Sequence, residues 1–205
     1  VLENTPDKTD DWKTVVMIQC VGSRNDDNPN CSRICCQAAV KNALRLKQKQ
    51  PDTRVFVLYR DMRTLGTDED YYLEARKQGV IFVPYSADAP PKLESGDDGL
   101  VVTFADPIIQ DELRQPVDAL ILSTGFKVDD ESSEDLATIF KVPRTGDGYF
   151  QEDHVKLRPV DLPTPGFFVA GTAHAPKSIP ESVGQALAVA ARAEAMLARK
   201  VITLD

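Results

Sequence analysis

An α/β fold built on a parallel sheet, with helices packed against it and a β-meander appended, is predicted by three observations. Nearly continuous apolar runs rich in β-branched residues recur at residues 14 to 20, 54 to 59 and 80 to 83, the pattern of strands covered on both faces. Between them lie stretches with apolar residues at helical spacing. The third is a pair of extended segments, residues 92 to 95 and 100 to 105, joined by Gly96-Asp97-Asp98-Gly99, which reads as a hairpin. Strand, helix, strand, helix, strand in succession implies a parallel sheet with right-handed crossovers.

Residues 1 to 13 are polar, rich in Asp, and read as a loose lead-in. Thr14-Val15-Val16-Met17-Ile18-Gln19-Cys20 is the first strand, and residues 23 to 30 are a polar loop. Residues 32 to 49 form a helix with Ile34, Ala38, Ala39, Ala43, Leu44 and Leu46 apolar. Its lysines and arginines gather toward the C-terminal end, where the helix dipole favours them, and Pro51 stops it. Residues 54 to 59 are the second strand, residues 68 to 78 a second helix closed by Gly79, and residues 80 to 83 the third strand. After the hairpin, residues 107 to 113 add a third strand to the meander. Residues 117 to 123, ending in Thr124-Gly125, return to the parallel sheet. Residues 126 to 165 hold five acidic residues between Asp129 and Asp135, several prolines and little periodicity, so they read as a connector and domain seam. Residues 166 to 170 are a short apolar strand. Ser178-Ile179-Pro180-Glu181 is a capping box with proline in the first turn, opening an alanine-rich helix that runs through Leu197. The division is therefore 14-125, an α/β domain; 126-165, a connector; and 166-205, a C-terminal segment.

With 205 residues, 42% hydrophobic and 27% charged, the chain suits one globular domain or one and a half. A net charge of −8, with no offsetting basic run, argues against nucleic acid as a partner. No apolar stretch approaches the roughly 20 residues of a membrane span, so no membrane insertion is expected. No signal peptide is present, which makes the cytoplasm the expected location. The chain begins at Val1 without methionine, the mark of a piece of something longer.

All four cysteines, Cys20, Cys31, Cys35 and Cys36, fall within seventeen residues, at the end of the first strand and the start of the first helix. Such clustering points to one inorganic site. Cys31 and Cys35, four apart, would share a helix face, while Cys36 points about 100° away. A zinc ion needs its sulfurs within roughly 4 Å of one another, whereas a cubane cluster separates its thiolates more widely. The adjacent pair therefore favours a cluster over zinc, and no C-x2-C pair is present. A buried-thiol reading stays open, because free cysteine is a common core residue. Arg24 and Arg33 flank the group and would offset thiolate charge.

Cys20-Val21-Gly22-Ser23-Arg24 and Asn30-Cys31-Ser32-Arg33-Ile34-Cys35-Cys36 resemble the corresponding motif of the HdrA family, the iron–sulfur flavoprotein component of heterodisulfide reductase in anaerobes. The likeness runs from about Thr14 to Arg199. It implies a [4Fe-4S] cluster on Cys20, Cys31, Cys35 and Cys36, and it assigns Lys41 as a charge beside a flavin. Pro165-Gly166-Phe167-Phe168-Val169-Ala170-Gly171-Thr172 is similar to the second FAD fingerprint of disulfide-reductase-type flavoproteins, with Thr172 where that pattern has Asp. Ser123-Thr124-Gly125 resembles the Ala-Thr-Gly turn that precedes it. The helix start beyond the fingerprint offers N–H groups and a positive dipole. The cofactor-binding set implied is Gly171, Thr172, Ala173, His174, Lys177, Ser178, Pro180 and Gln185.

No G-x-G-x-x-G occurs, so a pyrophosphate cradle is missing. The resemblance then implies a partial Rossmann-like FAD/NAD(P)-binding fold of the thioredoxin-reductase type. Its NAD(P)-type domain has cysteines in place of the nucleotide turn, and residues 166-205 belong to an FAD domain. The expected role is electron transfer between FAD and a [4Fe-4S] cluster, as part of a multisubunit oxidoreductase of anaerobic metabolism. In isolation the piece is expected to be inactive, and either cofactor can be lost from it. The partners implied are the other subunits of a reductase complex, with a homo-oligomer also allowed. The rival from another class is a non-catalytic α/β assembly module with a structural zinc or free-thiol site. A thiol–disulfide enzyme ranks last without a C-x-x-C.

Overall fold

A computed structural model describes residues 11 to 96 and 99 to 198. The first ten residues of the expected lead-in, Asp97 and Asp98 of the hairpin turn, and Arg199 lie outside the described residues. The chain divides into two compact units: Val1–Ser23 with Cys35–Gly125, and Arg24–Ile34 with Phe126–Asp205.

The first unit is built on four parallel strands, β1 (Thr14–Ile18), β2 (Arg54–Tyr59), β3 (Ile81–Pro84) and β7 (Ala119–Leu122), in the order β3-β2-β1-β7. Helices α1 (Cys35–Lys49) and α2 (Asp68–Lys77) make the crossovers. A three-stranded antiparallel meander follows, β4 (Lys92–Gly96), β5 (Gly99–Asp106) and β6 (Asp111–Val117). Side chains alternate across a strand, and the two cores show it. Val15, Met17, Val55 and Val57 pack with Ala39, Val40, Ala43 and Leu44 of α1 and Ala75 of α2. Val16, Ile18, Phe56 and Leu58 pack with Val102 and Phe104 of β5, and the Phe56 and Phe104 rings lie 5.9 Å apart. Both faces of the parallel sheet are thus covered, which explains strands that read as unbroken apolar runs.

The architecture is the α/β one expected, a parallel sheet with helices plus a meander. Several elements differ from the sequence reading. The third meander strand is β6 (Asp111–Val117) and not residues 107 to 113, because residues 107 to 110 form a turn with Gln110 at a left-handed φ of 56°; Val117 therefore belongs to the meander and the return strand starts at Ala119. The first helix starts at Cys35 instead of Ser32, because Arg33 adopts a left-handed φ of 65° and the Ile34 N–H turns back to the Ser32 carbonyl at 2.8 Å. Residues 166 to 170 form no named strand, only an isolated bridge between Asp161 and Phe168.

In the second unit, residues read as a connector contain α3 (Asp130–Phe140). Its N-cap, Asp129, accepts from the Ser132 N–H and hydroxyl, so the acidic cluster is a helix start. Ala137, Val142, Leu162 and Val169 form a small core, joined by Phe150 and Phe167. Helix α4 (Ile179–Leu197) buries none of its side chains. Polar contacts hold it: Arg192 grips Asp161 with three hydrogen bonds of 2.8 to 3.1 Å. Among the described residues, no helix is long and apolar enough to cross a membrane.

Candidate functional site

In an open parallel sheet, ligands collect beyond the carboxyl ends of the strands, where the strand order reverses. Here the chain steps from β1 outward to β2 and β3, then returns to the other side of β1 with β7. The reversal lies between β1 and β7, and the segments leaving those two strands are Gln19-Cys20-Val21-Gly22 and Ser123-Thr124-Gly125. The two turns are bonded to each other, the Val21 and Gly22 N–H groups donating to the Ser123 carbonyl at 3.1 and 3.4 Å. A Cβ on Gly22 would sit 1.9 Å from the Thr124 oxygen, so only glycine lets the backbones approach this closely.

Gln19, 1% exposed, ties the strand ends together. Its N–H donates to the Leu58 carbonyl at 2.9 Å, its carbonyl accepts the Tyr85 hydroxyl at 2.5 Å, and its side-chain oxygen accepts the Ser123 hydroxyl at 2.8 Å. Cys20, next in the chain, has a left-handed φ of 60°, as do Arg24 (60°) and Arg33 (65°). Each such non-glycine residue costs roughly 1–2 kcal/mol, and backbone strain of this kind clusters at functional sites in proteins generally.

The cysteines have distinct surroundings. Cys36 continues the buried stripe of α1 through Ala39, Val40 and Ala43, and its thiol donates to the Asp61 carbonyl at 3.7 Å. Cys20 and Cys35 are half-buried. Cys31 lies outside α1, so it shares no helix face with Cys35; its sulfur accepts the Arg33 N–H at 3.3 Å. Among the described residues, no group of three or more His, Cys, Asp or Glu side chains stands close enough to hold a metal ion. Lys41 is exposed on α1.

In the second unit, the fingerprint residues form a short 3-10 turn, Gly171–Ala173, with Gly171 at φ +65°, a conformation glycine adopts without penalty. Thr172 and Ala173 are exposed, and Lys177 and Ser178 half-buried. His174 lies between Glu152, with Nε2 2.9 Å from Oε2, and Gln185, whose Nε2 is 2.8 Å from Nδ1. Ser178 and Glu181 complete the expected capping box, with Pro180 in the first turn. The Glu181 carboxylate accepts the Ser178 N–H at 2.8 Å and pairs with Arg33 at 2.5 Å. Arg33 also donates to the Pro176 carbonyl at 3.1 Å. Thus Arg33 turns toward the start of α4, and the dipole there already meets a carboxylate. The Ser178 N–H, opposed by burial and aided by the Ser178 hydroxyl and Arg33, holds the Glu181 carboxyl below the usual glutamate range. Burial, reinforced by Arg33, lowers the Lys177 ammonium from its ordinary value.

Sequence alone does not single out Glu152 or Glu181 as site residues. Glu181 is visible there only as a cap. Glu152 sits 22 residues before His174 in an aperiodic stretch, and only the fold joins them.

No family model matches the chain. It is 37% identical over 200 residues to the HdrA component of the ferredoxin:CoB-CoM heterodisulfide reductase of Methanosarcina acetivorans, covering 96% of this chain and 25% of that protein. It is 36% identical over 200 residues to the second of two HdrA-type iron-sulfur subunits of the CoB--CoM heterodisulfide reductase in Methanopyrus kandleri, covering 94% and 30%. Over nearly its whole length the chain is thus similar to part of the A subunits of heterodisulfide reductases, and it spans between a quarter and a third of the length of these relatives. Among solved structures it is similar to the thioredoxin reductases of Lactococcus lactis (TM-score 0.56, 16% identity, 89% of this chain and 52% of that one) and T. acidophilum (0.54, 17%, 89% and 52%). At those identities the likeness shows the fold alone, the Rossmann-like FAD/NAD(P)-binding fold of the thioredoxin-reductase type.

The two cofactors that the resemblance implies meet different settings in the structure. Four thiols are suitable donors for iron, three of them in the unit whose strand ends form the switch point, although the described side chains are not gathered as a ligand set. The Gly171–Ala173 turn, with Gly171 at φ +65° and Thr172 and Ala173 exposed, leaves room for a planar ligand at its tip.

Proposed function

We propose that this chain is an electron-transfer segment of a flavin-dependent, multisubunit oxidoreductase of the heterodisulfide reductase type. In this reading Cys20, Cys31, Cys35 and Cys36 hold a [4Fe-4S] cluster. Gly171, Thr172, Ala173, His174, Lys177, Ser178, Pro180 and Gln185 form or support part of an FAD site, with Lys41 a further charge beside the flavin. The segments 14-125, 126-165 and 166-205 are the NAD(P)-type domain, its connector and the tail of the FAD domain. Partners are other subunits of a reductase complex in the cytoplasm, and isolated, the segment is inactive.

One observation carries the reading. Cys20 leaves β1 at the sheet's reversal point, where a nucleotide-binding member of this fold would place its glycine turn, and does so in a strained conformation. The name of the Methanopyrus kandleri relative, which describes an iron–sulfur protein, supports the same assignment. When bound, the cluster supplies one-electron chemistry and the flavin two-electron chemistry. The protein's part is to hold both and exclude water.

A second reading, a free-thiol or zinc-bearing assembly module, draws on the burial of Cys36 along the α1 stripe. Anaerobic reconstitution with iron and sulfide separates the two. The first predicts a brown chain that loses its iron in Cys20→Ser and Cys31→Ser variants. Stoichiometric zinc, or colourless thiols after reconstitution, supports the second.

A further inference from the structure

Behind the fingerprint turn runs a chain of hydrogen bonds whose direction can be read without ambiguity. It begins at the Gly171 N–H, 2.9 Å from Gln185 Oε1. A backbone N–H can only donate, so the Gln185 amide presents its oxygen to Gly171 and its NH2 to the other side. That NH2 meets His174 Nδ1 at 2.8 Å. An amide NH2 has no lone pair to offer, so Nδ1 is the acceptor and carries no proton. The ring proton therefore sits on Nε2 and is donated to Glu152 Oε2 at 2.9 Å. Glu152 is suited to receive it, since its own backbone N–H and His174 hold its carboxyl below the ordinary range.

Every bond in this relay points the same way and ends on a charge, an arrangement in which each bond strengthens the next. The turn is closed further by the His174 N–H to the Gly171 carbonyl and the Phe150 N–H to the Ala173 carbonyl, both 3.1 Å. His174 and Glu152 side chains are only 16% and 19% exposed, while Thr172 and Ala173 stand exposed at the tip. Both ring nitrogens of His174 are engaged within the unit, as are the Gln185 side-chain oxygen and nitrogen.

We propose that Glu152, His174 and Gln185 are positioning residues that fix the Gly171 to His174 turn, with His174 as the neutral Nε2–H tautomer, and that Thr172 and Ala173 make the direct contacts to the flavin. This deepens the flavin reading given above and rests on it. Reversing the relay has a chemical consequence. With Gln185→Glu, a carboxylate still accepts from Gly171 but has nothing to donate to Nδ1. His174 then lies between two carboxylates and takes a second proton.

The relay is tested on the 15N-labelled chain by long-range 1H–15N correlation. The wild type is expected to show His174 with a pyridine-type Nδ1 and a pyrrole-type Nε2, and Gln185→Glu to convert both to pyrrole type. His154, the other histidine, is identified by His154→Gln. Its Nδ1 accepts the Lys156 and Leu157 N–H groups, and it should not change. A His174 protonated on Nδ1 in the wild type overturns the proposal. The positioning role is tested by flavin content and absorption band shape of the full-length protein. His174→Gln keeps an acceptor and a donor in series; His174→Phe keeps neither. About a tenfold drop in flavin affinity is expected for His174→Phe, with substantial recovery in His174→Gln. Equal flavin content and spectra for His174→Phe and wild type overturn the role. A wild-type protein that binds no flavin sinks the functional reading instead, and the tautomer measurement still decides the relay.

Discussion

Gly22→Ala puts a methyl group where the cysteine turn and the β7 turn touch. Its Cβ would lie 1.9 Å from the Thr124 oxygen, 2.7 Å from the carbonyl carbon and 3.0 Å from Cα. Ordinary carbon contacts are about 3.5–4.0 Å, so the two backbones must part by roughly 1.5 Å. All the offending atoms are backbone, and no side chain can swing aside to relieve the clash. The Val21 and Gly22 N–H bonds to the Ser123 carbonyl are lost in the separation. At about 1 kcal/mol per bond, plus the strain of moving two strand ends, the cost is about 2–4 kcal/mol. That is a large share of the total stability of a domain, roughly 5–15 kcal/mol. Urea unfolding followed by fluorescence reports it directly, because Trp12 is the only tryptophan and packs against the core of the first unit. Gly184→Ala on α4, where a Cβ meets nothing within 4 Å, is the control and should leave the Trp12 transition in place. A Gly22→Ala transition within about 0.5 kcal/mol of wild type, the range of a neutral surface change, would refute the close approach.

Other consequences are smaller or slower. Ser178→Ala removes the cap of α4 and should lower the stability of the second unit by about 1 kcal/mol, with Ser178→Gly milder, read as faster amide exchange in the first turns of the helix. Lys141, the C-cap of α3, has a left-handed φ of 53°, so Lys141→Gly should stabilise by about 1 kcal/mol in thermal unfolding; a destabilised variant would mean the backbone bends otherwise. Glu152 and Glu181 are both held below the ordinary glutamate value of 4.5. In that window the unfolded chain binds more protons than the folded one. Stability of the second unit should therefore be full above 4.5 and fall as pH drops through the depressed folded values, and Glu181→Gln should flatten the slope. Met17→Ala, at a site with 0% exposure, should cost about 2–5 kcal/mol, visible as a lower urea midpoint.

How much of this molecule is legible in its sequence depends on whether the signal is local. β1 and β2 are buried on both faces, so their runs of Val, Ile, Leu and Met can be read directly. The capping box of α4 is equally legible, because four consecutive residues define it. Helix α3 is not: its first turn, Asp130-Glu131-Ser132-Ser133, is acidic and polar, and only Ala137 is buried, which hides the periodicity. The shift of the α1 start to Cys35 arises from the left-handed Arg33, a conformation no pattern in arginine's neighbours announces. At the site, the clustering of the cysteines suggests one inorganic site and favours a cluster over zinc, but the thiol environments differ, with Cys36 on a core stripe and Cys31 outside the helix. His174 and Gln185 stand out in the sequence as candidates. Their partner Glu152, and hence the direction of their hydrogen bonds, comes only from tertiary structure.

Iron stoichiometry with reduced-state electron paramagnetic resonance, measured on the anaerobically purified full-length protein and on its Cys20→Ser, Cys31→Ser, Cys35→Ser and Cys36→Ser variants, tests the assignment of the four cysteines most directly. The account predicts about four irons assigned to this site, as a [4Fe-4S] centre requires, and the disappearance of one cluster signal in each variant. An unchanged set of signals across all four variants would contradict it.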